Sequence, residues 1–347
     1  MDNTPKIKKE SKHKIRVEFE RAPLWVRIKS KFFSINFLKN VVYVIFRYIL
    51  LIGVSYVILN PYIKKIFGSF MSPSDLKNPK VILISADPTF DQYKYIITEN
   101  GYLQAALKTF LIAASIALIE TLVCAFIAYG LAKFKFKGNS IVFALVVGIL
   151  MIPMDAIRHS MMLFFQCFGE SNPIGLFLSK IIPNYSNAWI QGSFIPRYIL
   201  AFTGLGFKNG LFIFMLRQFF RGVPDELEES AYVDGSNTFR TFFSIILPIS
   251  IPMLITVFIF SFSWQWTDNF YSDIFFTALE PPGTMFDIVS KMPDTLTELI
   301  RNHERKTMYQ STVVGTSTIL VALPLIIMYC FLQNKIVQGV ERSGIVG

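Results

Sequence analysis

Cysteine and histidine are scarce in this chain, at three residues each among 347, and the scarcity removes whole classes of chemistry. Cys124, Cys167 and Cys330 fall in or near hydrophobic segments with no paired spacing, so they form neither a disulfide framework nor a metal site. His13, His159 and His303 are scattered and supply neither a metal cluster nor a catalytic dyad. No G-x-x-x-x-G-K-[ST] phosphate loop occurs, so the chain does not hydrolyse ATP itself. A membrane-embedded enzyme would need a convergent polar cluster, and none is visible. Charge is also sparse: 17% of residues are charged against 52% hydrophobic. The apolar residues come in blocks, which places the chain in a bilayer. The net charge of +10 lies largely ahead of the first block and carries no nucleic-acid motif. It reads as a membrane-orientation signal, with no nucleic-acid partner.

What is present is a series of stretches of about 20 mostly apolar residues. Six are expected, at 41–62, 105–131, 140–157, 198–217, 248–266 and 312–332. An even number puts both termini on one side. Lys29, Lys31, Lys39 and Arg47 before or in the first span, with Lys133, Lys135 and Lys137 between the second and third, make that side cytoplasmic. The expectation is an all-α integral membrane protein of six transmembrane helices. A basic cytoplasmic extension (1–40) precedes a six-span domain (41–333), and a cytoplasmic tail (334–347) follows. Within the extension, Trp25, Phe32, Phe33 and Phe37 among the charges suit a surface helix over 23–39 or a plain positive-inside anchor. The basic region is too long for a cleavable signal peptide, and the apolar run ends in Asn60-Pro61 without a small-residue cleavage site. Residues 63–103, 158–197 and 267–311 face outward.

Between the fourth and fifth spans lies RGVPDELEESAYVDGSNTFRTFFSIILPISIP, from Arg221 to Pro252. Pro224 suits the start of a short helix, and Asp225, Glu226, Glu228 and Glu229 suit the positive end of its dipole. Gly235 supplies a left-handed stop. Asn237 or Ser236 caps a second helix, in which Phe239, Phe242, Phe243 and Ile246 recur at i, i+3, i+4 and i+7. Pro248 and Pro252 mark entry into the next span.

Glu229-Ser230-Ala231, then Asp234-Gly235, then Ile246-Leu247-Pro248, resembles the EAA loop of permease subunits of ATP-binding-cassette importers. Phe260-Ser261-Phe262 with Trp264, Trp266, Asp268 and Phe270 is similar to carbohydrate-importer permeases of the maltose and oligosaccharide type. So are Leu216-Arg217-Gln218-Phe219-Phe220, Met151-Ile152-Pro153, Leu332-Gln333 and Val337-Gln338-Gly339. The resemblance covers roughly residues 40–347. Ser230 departs from it by replacing an alanine, and the segment near 165–205 is longer than the family pattern. The resemblance implies a sugar-importing permease of a bacterial cytoplasmic membrane, without cofactor or bond chemistry. Its implied partners are two ATPase subunits that bind the ATP, a homologous second permease and an extracytoplasmic solute-binding protein. It also implies that loop 217–247 docks on an ATPase through Glu229, Ser230, Ala231, Asp234, Gly235, Leu247 and Pro248. The segment from Gln333 to Gly347 resembles a tail that reaches between the ATPases, or is a frayed end. Pro88-Thr89-Phe90-Asp91-Gln92-Tyr93 resembles a segment that packs on the binding protein or the neighbouring subunit; plain loop structure is the alternative.

Glu120 is the acid most costly to place in a bilayer, so it is a candidate for a translocation pathway or for helix packing. Trp264, Trp266, Asp268 and Asn269 suit a sugar site, where aromatic faces stack on pyranoses, or an interfacial aromatic belt, the preferred reading. Asp155, Arg158 and His159 read as an interfacial cluster. The rival functions are an ion-coupled secondary transporter, for which only Glu120 qualifies, and a permease for a solute other than sugar.

Overall fold

The computed structural model describes residues 7–10, 14–17, 25, 35–78, 80–168, 173–181, 192–206, 208–276, 281–302 and 305–342. The chain divides into two units, Met1–Lys64 and Lys65–Gly347. The first holds an antiparallel hairpin, β1 (Ile7–Glu10) with β2 (Lys14–Val17), in which Ile7 lies opposite Val17. Alternating apolar and basic residues in KIRV favour that strand, and the hairpin amends the all-helical expectation for the basic extension. The surface helix expected over 23–39 lies mostly outside the described residues. Helix α1 (Ile35–Gly68) begins in this unit and contains Pro61. The apolar run was expected to stop there; the helix continues, as membrane helices tolerate proline where a soluble helix would break.

The second unit is built round α3 (Tyr102–Lys133). Its buried face repeats small residues: Ala113, Ala117, Thr121, Ala125 and Ala128 follow at four- or three-residue steps. In lipid there is little hydrophobic drive between helices, so close backbone approach over such a stripe carries the packing. On one side, α3 packs on α8 (Asn209–Arg221) through Phe212, Leu216 and Phe220. Along the rest of its length it packs on α11 (Ile251–Trp266), which in turn packs on α15 (Lys306–Arg342), with Phe262, Trp266, Val313 and Leu320 in one cluster.

Two expected spans are broken. The stretch 140–157 becomes α4 (Asn139–Ile149) and α5 (Met154–Gln166), bent by 105°. Pro153 is the N-cap of α5 and cannot donate to α4. The stretch 198–217 becomes α7 (Ile195–Thr203) and α8, separated at Gly204 (φ 71°). A β-carbon at Gly204 would come within 2.7 Å of the Ile127 side chain, so this is a close approach as well as a turn. Among the described residues three helices are long and apolar enough to cross a membrane, or up to five if two bent pairs, α4 with α5 and Thr238–Ile249 with Ile251–Trp266, each count as one span. The fold is therefore an all-helical membrane protein outside the small hairpin, with three to five candidate spans.

The segments expected outside are folded too. Helix α2 (Asp91–Glu99) buries Gln92, whose Nε2 donates to Met71 O (2.7 Å) and Gly68 O (3.2 Å), while its Oε1 accepts from Thr316 Oγ1 (2.6 Å). That side chain thus ties its segment to α15 of the same chain. The expected C-terminal tail is helical as far as Arg342.

Candidate functional site

Two polar assemblies stand out against the apolar background. The first is the Arg221–Pro252 loop. Helix α9 (Glu226–Val233) carries Glu226, Glu228 and Glu229 in its first turn. It ends at Asp234, with Gly235 at φ 80°. Ser236 N–H donates to Ala231 O (2.9 Å) and Gly235 N–H to Tyr232 O (3.0 Å), closing the helix by the paired bonds of a glycine stop. Of the two candidate caps, Asn237 is the one used: its Oδ1 accepts from Arg240 N–H at 2.8 Å, opening α10 (Thr238–Ile249). That helix contains a π-helical stretch, Phe242–Ile246, and meets α11 at 79°. Phe242 and Ile246 are buried, whereas Phe239 and Phe243 are exposed.

The residues expected to dock divide by face. Ala231 and the neighbouring Glu228 point into the chain, while Glu229, Ser230, Asp234, Gly235 and Pro248 are exposed and Leu247 is half-buried. Lys133, at the end of α3, holds the helix from beneath. Its Nζ donates to Val223 O (2.7 Å) and Asp225 Oδ1 (2.6 Å) and lies 3.3 Å from Glu228 Oε1, an ion-pair distance without hydrogen-bond alignment. Tyr129 OH donates to Glu228 Oε2 at 3.0 Å. The Lys133 hydrogen bond, reinforced by its charge, holds the Asp225 carboxyl below the usual aspartate range.

The second assembly is buried and links α3, α7 and α11. Glu120 accepts from Ser261 Oγ and, at 3.2 Å, from Gln265 Nε2. Gln265 Oε1 accepts from Arg197 Nη2 at 2.6 Å, and Arg197 Nη1 lies 3.4 Å from Asp268 Oδ2. Asp268 also accepts from Tyr271 N–H, Ser272 N–H and Ser272 Oγ, at 3.0–3.1 Å. Beside this chain of bonds is a cavity of about 190 Å³, lined among others by Glu120, Lys208, Trp264, Asp268 and Asn269. Lys208 Nζ sits 4.6 Å from the centre of the Trp264 ring, whose plane stacks on Phe212.

Four of the five expected pathway residues line this cavity. Trp266 does not: it is buried in the core, and its Nε1 donates to Val321 O at 2.9 Å. Positions 264 and 266 are two apart on a helix and point to different sides. Sequence reasoning left Arg197, Lys208 and Gln265 out of the pathway set. An ionisable residue beside an expected span was the available signal for Arg197. Of the group Asp155, Arg158 and His159, Arg158 pairs with Asp273 at 3.3 Å.

A polytopic helical membrane protein with a capped, charged loop helix and a polar cavity between its helices has the build of a transport subunit. The family described as "Binding-protein-dependent transport system inner membrane component" matches residues 121–342, more than half of the chain, and the chain belongs to it. The alpha-glucoside transport system permease protein AglG of Rhizobium meliloti (strain 1021) is 30% identical over 288 residues, 81% of this chain and 68% of that protein. The galactooligosaccharides transport system permease protein GanQ of Bacillus subtilis (strain 168) is 26% identical over 307 residues, 87% of this chain and 95% of the relative. Among solved structures, a bacterial ABC transporter that imports the acidic polysaccharide alginate has a chain of the same fold. It matches with TM-score 0.57 and 19% identity over 85% of this chain and 97% of that one. The protein is a multi-pass permease of a binding-protein-dependent ABC importer for sugars or oligosaccharides, a transport subunit and not an enzyme.

Proposed function

We propose that the exposed face of α9 docks on an ATPase subunit, and that ATP is bound and hydrolysed there. The observation that carries this reading is the division of α9: Glu228 and Ala231 anchor it from within, while Glu229, Ser230 and Asp234 are presented outward beside a glycine stop. Small Ser230 and the open Gly235 turn, where a β-carbon would meet nothing within 4 Å, leave room for a partner's close approach. The working complex contains two such ATPases, a homologous second permease and an extracytoplasmic binding protein. Both termini and loop 217–247 lie on the cytoplasmic side, with six crossings reached by counting α7–α8 as a span beside the two bent pairs of helices. Glu120, Trp264, Asp268 and Asn269 form this subunit's share of the pathway, with Lys208 and Arg197 balancing its carboxylates; Trp266 supports it from the core. Transport proceeds by switching between two arrangements of the helices, driven from the loop.

The test is recovery of the complex. Glu229→Arg places a mispaired charge in a desolvated contact, at a cost of about 2–5 kcal/mol. The purified permease should then lose its ATPase while remaining inserted, and full recovery with unaltered uptake would refute the docking role.

A further inference from the structure

The cluster at Lys133 is more than docking requires, because its bonds point into the chain. Three groups of the loop, Val223 O, Asp225 Oδ1 and Glu228 Oε1, converge on one ammonium at the last residue of α3. Tyr129, one turn earlier on the same helix, holds the other oxygen of Glu228. The Tyr129 ring is packed against Phe242 (4.8 Å), Phe134 (5.7 Å) and Phe220 (5.9 Å), so the joint is walled by aromatics from both sides of the loop. The side chains of Lys133 and Glu228 are only 8% and 9% exposed. Such a pair in a low-dielectric setting is costly to open, since Glu228 alone would be a buried charge held only by the Tyr129 hydroxyl. Along the same rigid helix, about 20 Å from Lys133 at 1.5 Å per residue, stands Glu120, bonded to Ser261 and Gln265 beside the cavity.

We propose that Lys133, Glu228 and Tyr129 form a fixed joint that makes α3 the member through which motion of α9 reaches the cavity. The proposal rests on the docking reading above and adds positioning residues that lie off the docking face. The loop does not push α3 through a sliding contact; the two move as one body. The Glu120 end then carries the displacement to α11, whose Gln265 bridges to Arg197 on α7.

The complete importer, including both permeases, the ATPases and the binding protein, tests this in liposomes. Cys124, Cys167 and Cys330 are changed to alanine, and Thr267→Cys, an exposed position lining the cavity, reports by its rate of labelling with a maleimide. In the parent, ATP with vanadate should change that rate. Glu228→Lys and Lys133→Glu should keep assembly and ATP hydrolysis but shrink the ATP-dependent change by roughly 3- to 30-fold. Unaltered labelling change in the single variants overturns the joint. Should the charge-reversed variants not assemble, Glu228→Gln is read in their place. An unaltered change in that variant overturns the proposal, as does its failure to bind the ATPase, because a joint internal to the chain does not decide docking. Failure of docking itself shows instead as loss of ATPase from Glu229→Arg.

Discussion

Two buried basic residues each organise a carboxylate cluster here, one reaching the surface through an exposed acid and the other enclosed. Lys133 meets Asp225 with side-chain exposures of 8% and 79%, at the edge of the polar loop. Arg197 meets Asp268 at 3% and 8%, among apolar helices. Water can replace a lost partner at Asp225, while Asp268 keeps the Tyr271 and Ser272 N–H groups and the Ser272 hydroxyl. The difference is confined to the acids: the loop cluster has one exchangeable contact, at Asp225, beside the buried Lys133–Glu228 pair, while Asp268 is committed to its partners.

The glycine stop that sets the angle between α9 and α10 gives the largest expected effect and separates geometry from charge. Gly235→Pro should abolish sugar uptake at equal subunit levels, since φ near 80° is closed to proline. Gly235→Asn should retain uptake, because asparagine visits that region and open space surrounds the position. Equal uptake by the proline variant would show that the turn is not a working part.

Next in size is the buried cluster. Arg197→Met leaves the Asp268 charge uncompensated and should destabilise the purified complex by about 3–5 kcal/mol. Adding Asp268→Asn should return much of that loss. A melting curve unchanged by Arg197→Met would put Asp268 on the same footing as the exposed Asp225.

A smaller effect is expected at the cap. Asn237→Ala removes the acceptor for Arg240 N–H and should cost about 0.5–2 kcal/mol, read as earlier loss of ATPase on heating. The smallest effect is at Asp225. Its carboxyl is held below the ordinary range, so its contribution is complete above the unfolded aspartate value of about 3.9 and disappears as pH falls through the folded value. Melting of the parent and Asp225→Asn should differ slightly at neutral pH and converge below that range. A difference that persists in acid would mean the interaction is not ionic.

The loop was highly legible because its signals are local. The acidic first turn, Gly235 and Asn237 each act within one turn of where they stand, whereas Pro224 lies one residue ahead of the Asp225 N-cap rather than at the first helical position. The apolar blocks were legible as a class of structure, less so as elements. Pro153 sits inside an apolar stretch that α4 and α5 divide at 105°, because continuity of hydropathy records the solvent and not the path of the chain. The cavity was legible only in part. Glu120 stood out as an acid among apolar neighbours, but Arg197 and Gln265, which complete its network, come from segments 68 residues apart in sequence.

Sequence by itself determined that this chain lives in a bilayer and presents a capped acidic helix beside its apolar segments. Composition and turn chemistry act over a few residues and need no fold to be read. Tertiary structure alone decided that Glu228 turns inward to Lys133 while Glu229 stays outside, that Trp264 faces the cavity while Trp266 fills the core, and that Arg197 neutralises Asp268. Those outcomes depend on which faces of distant helices meet, and in a bilayer the small-residue stripe of α3 sets that meeting through close packing.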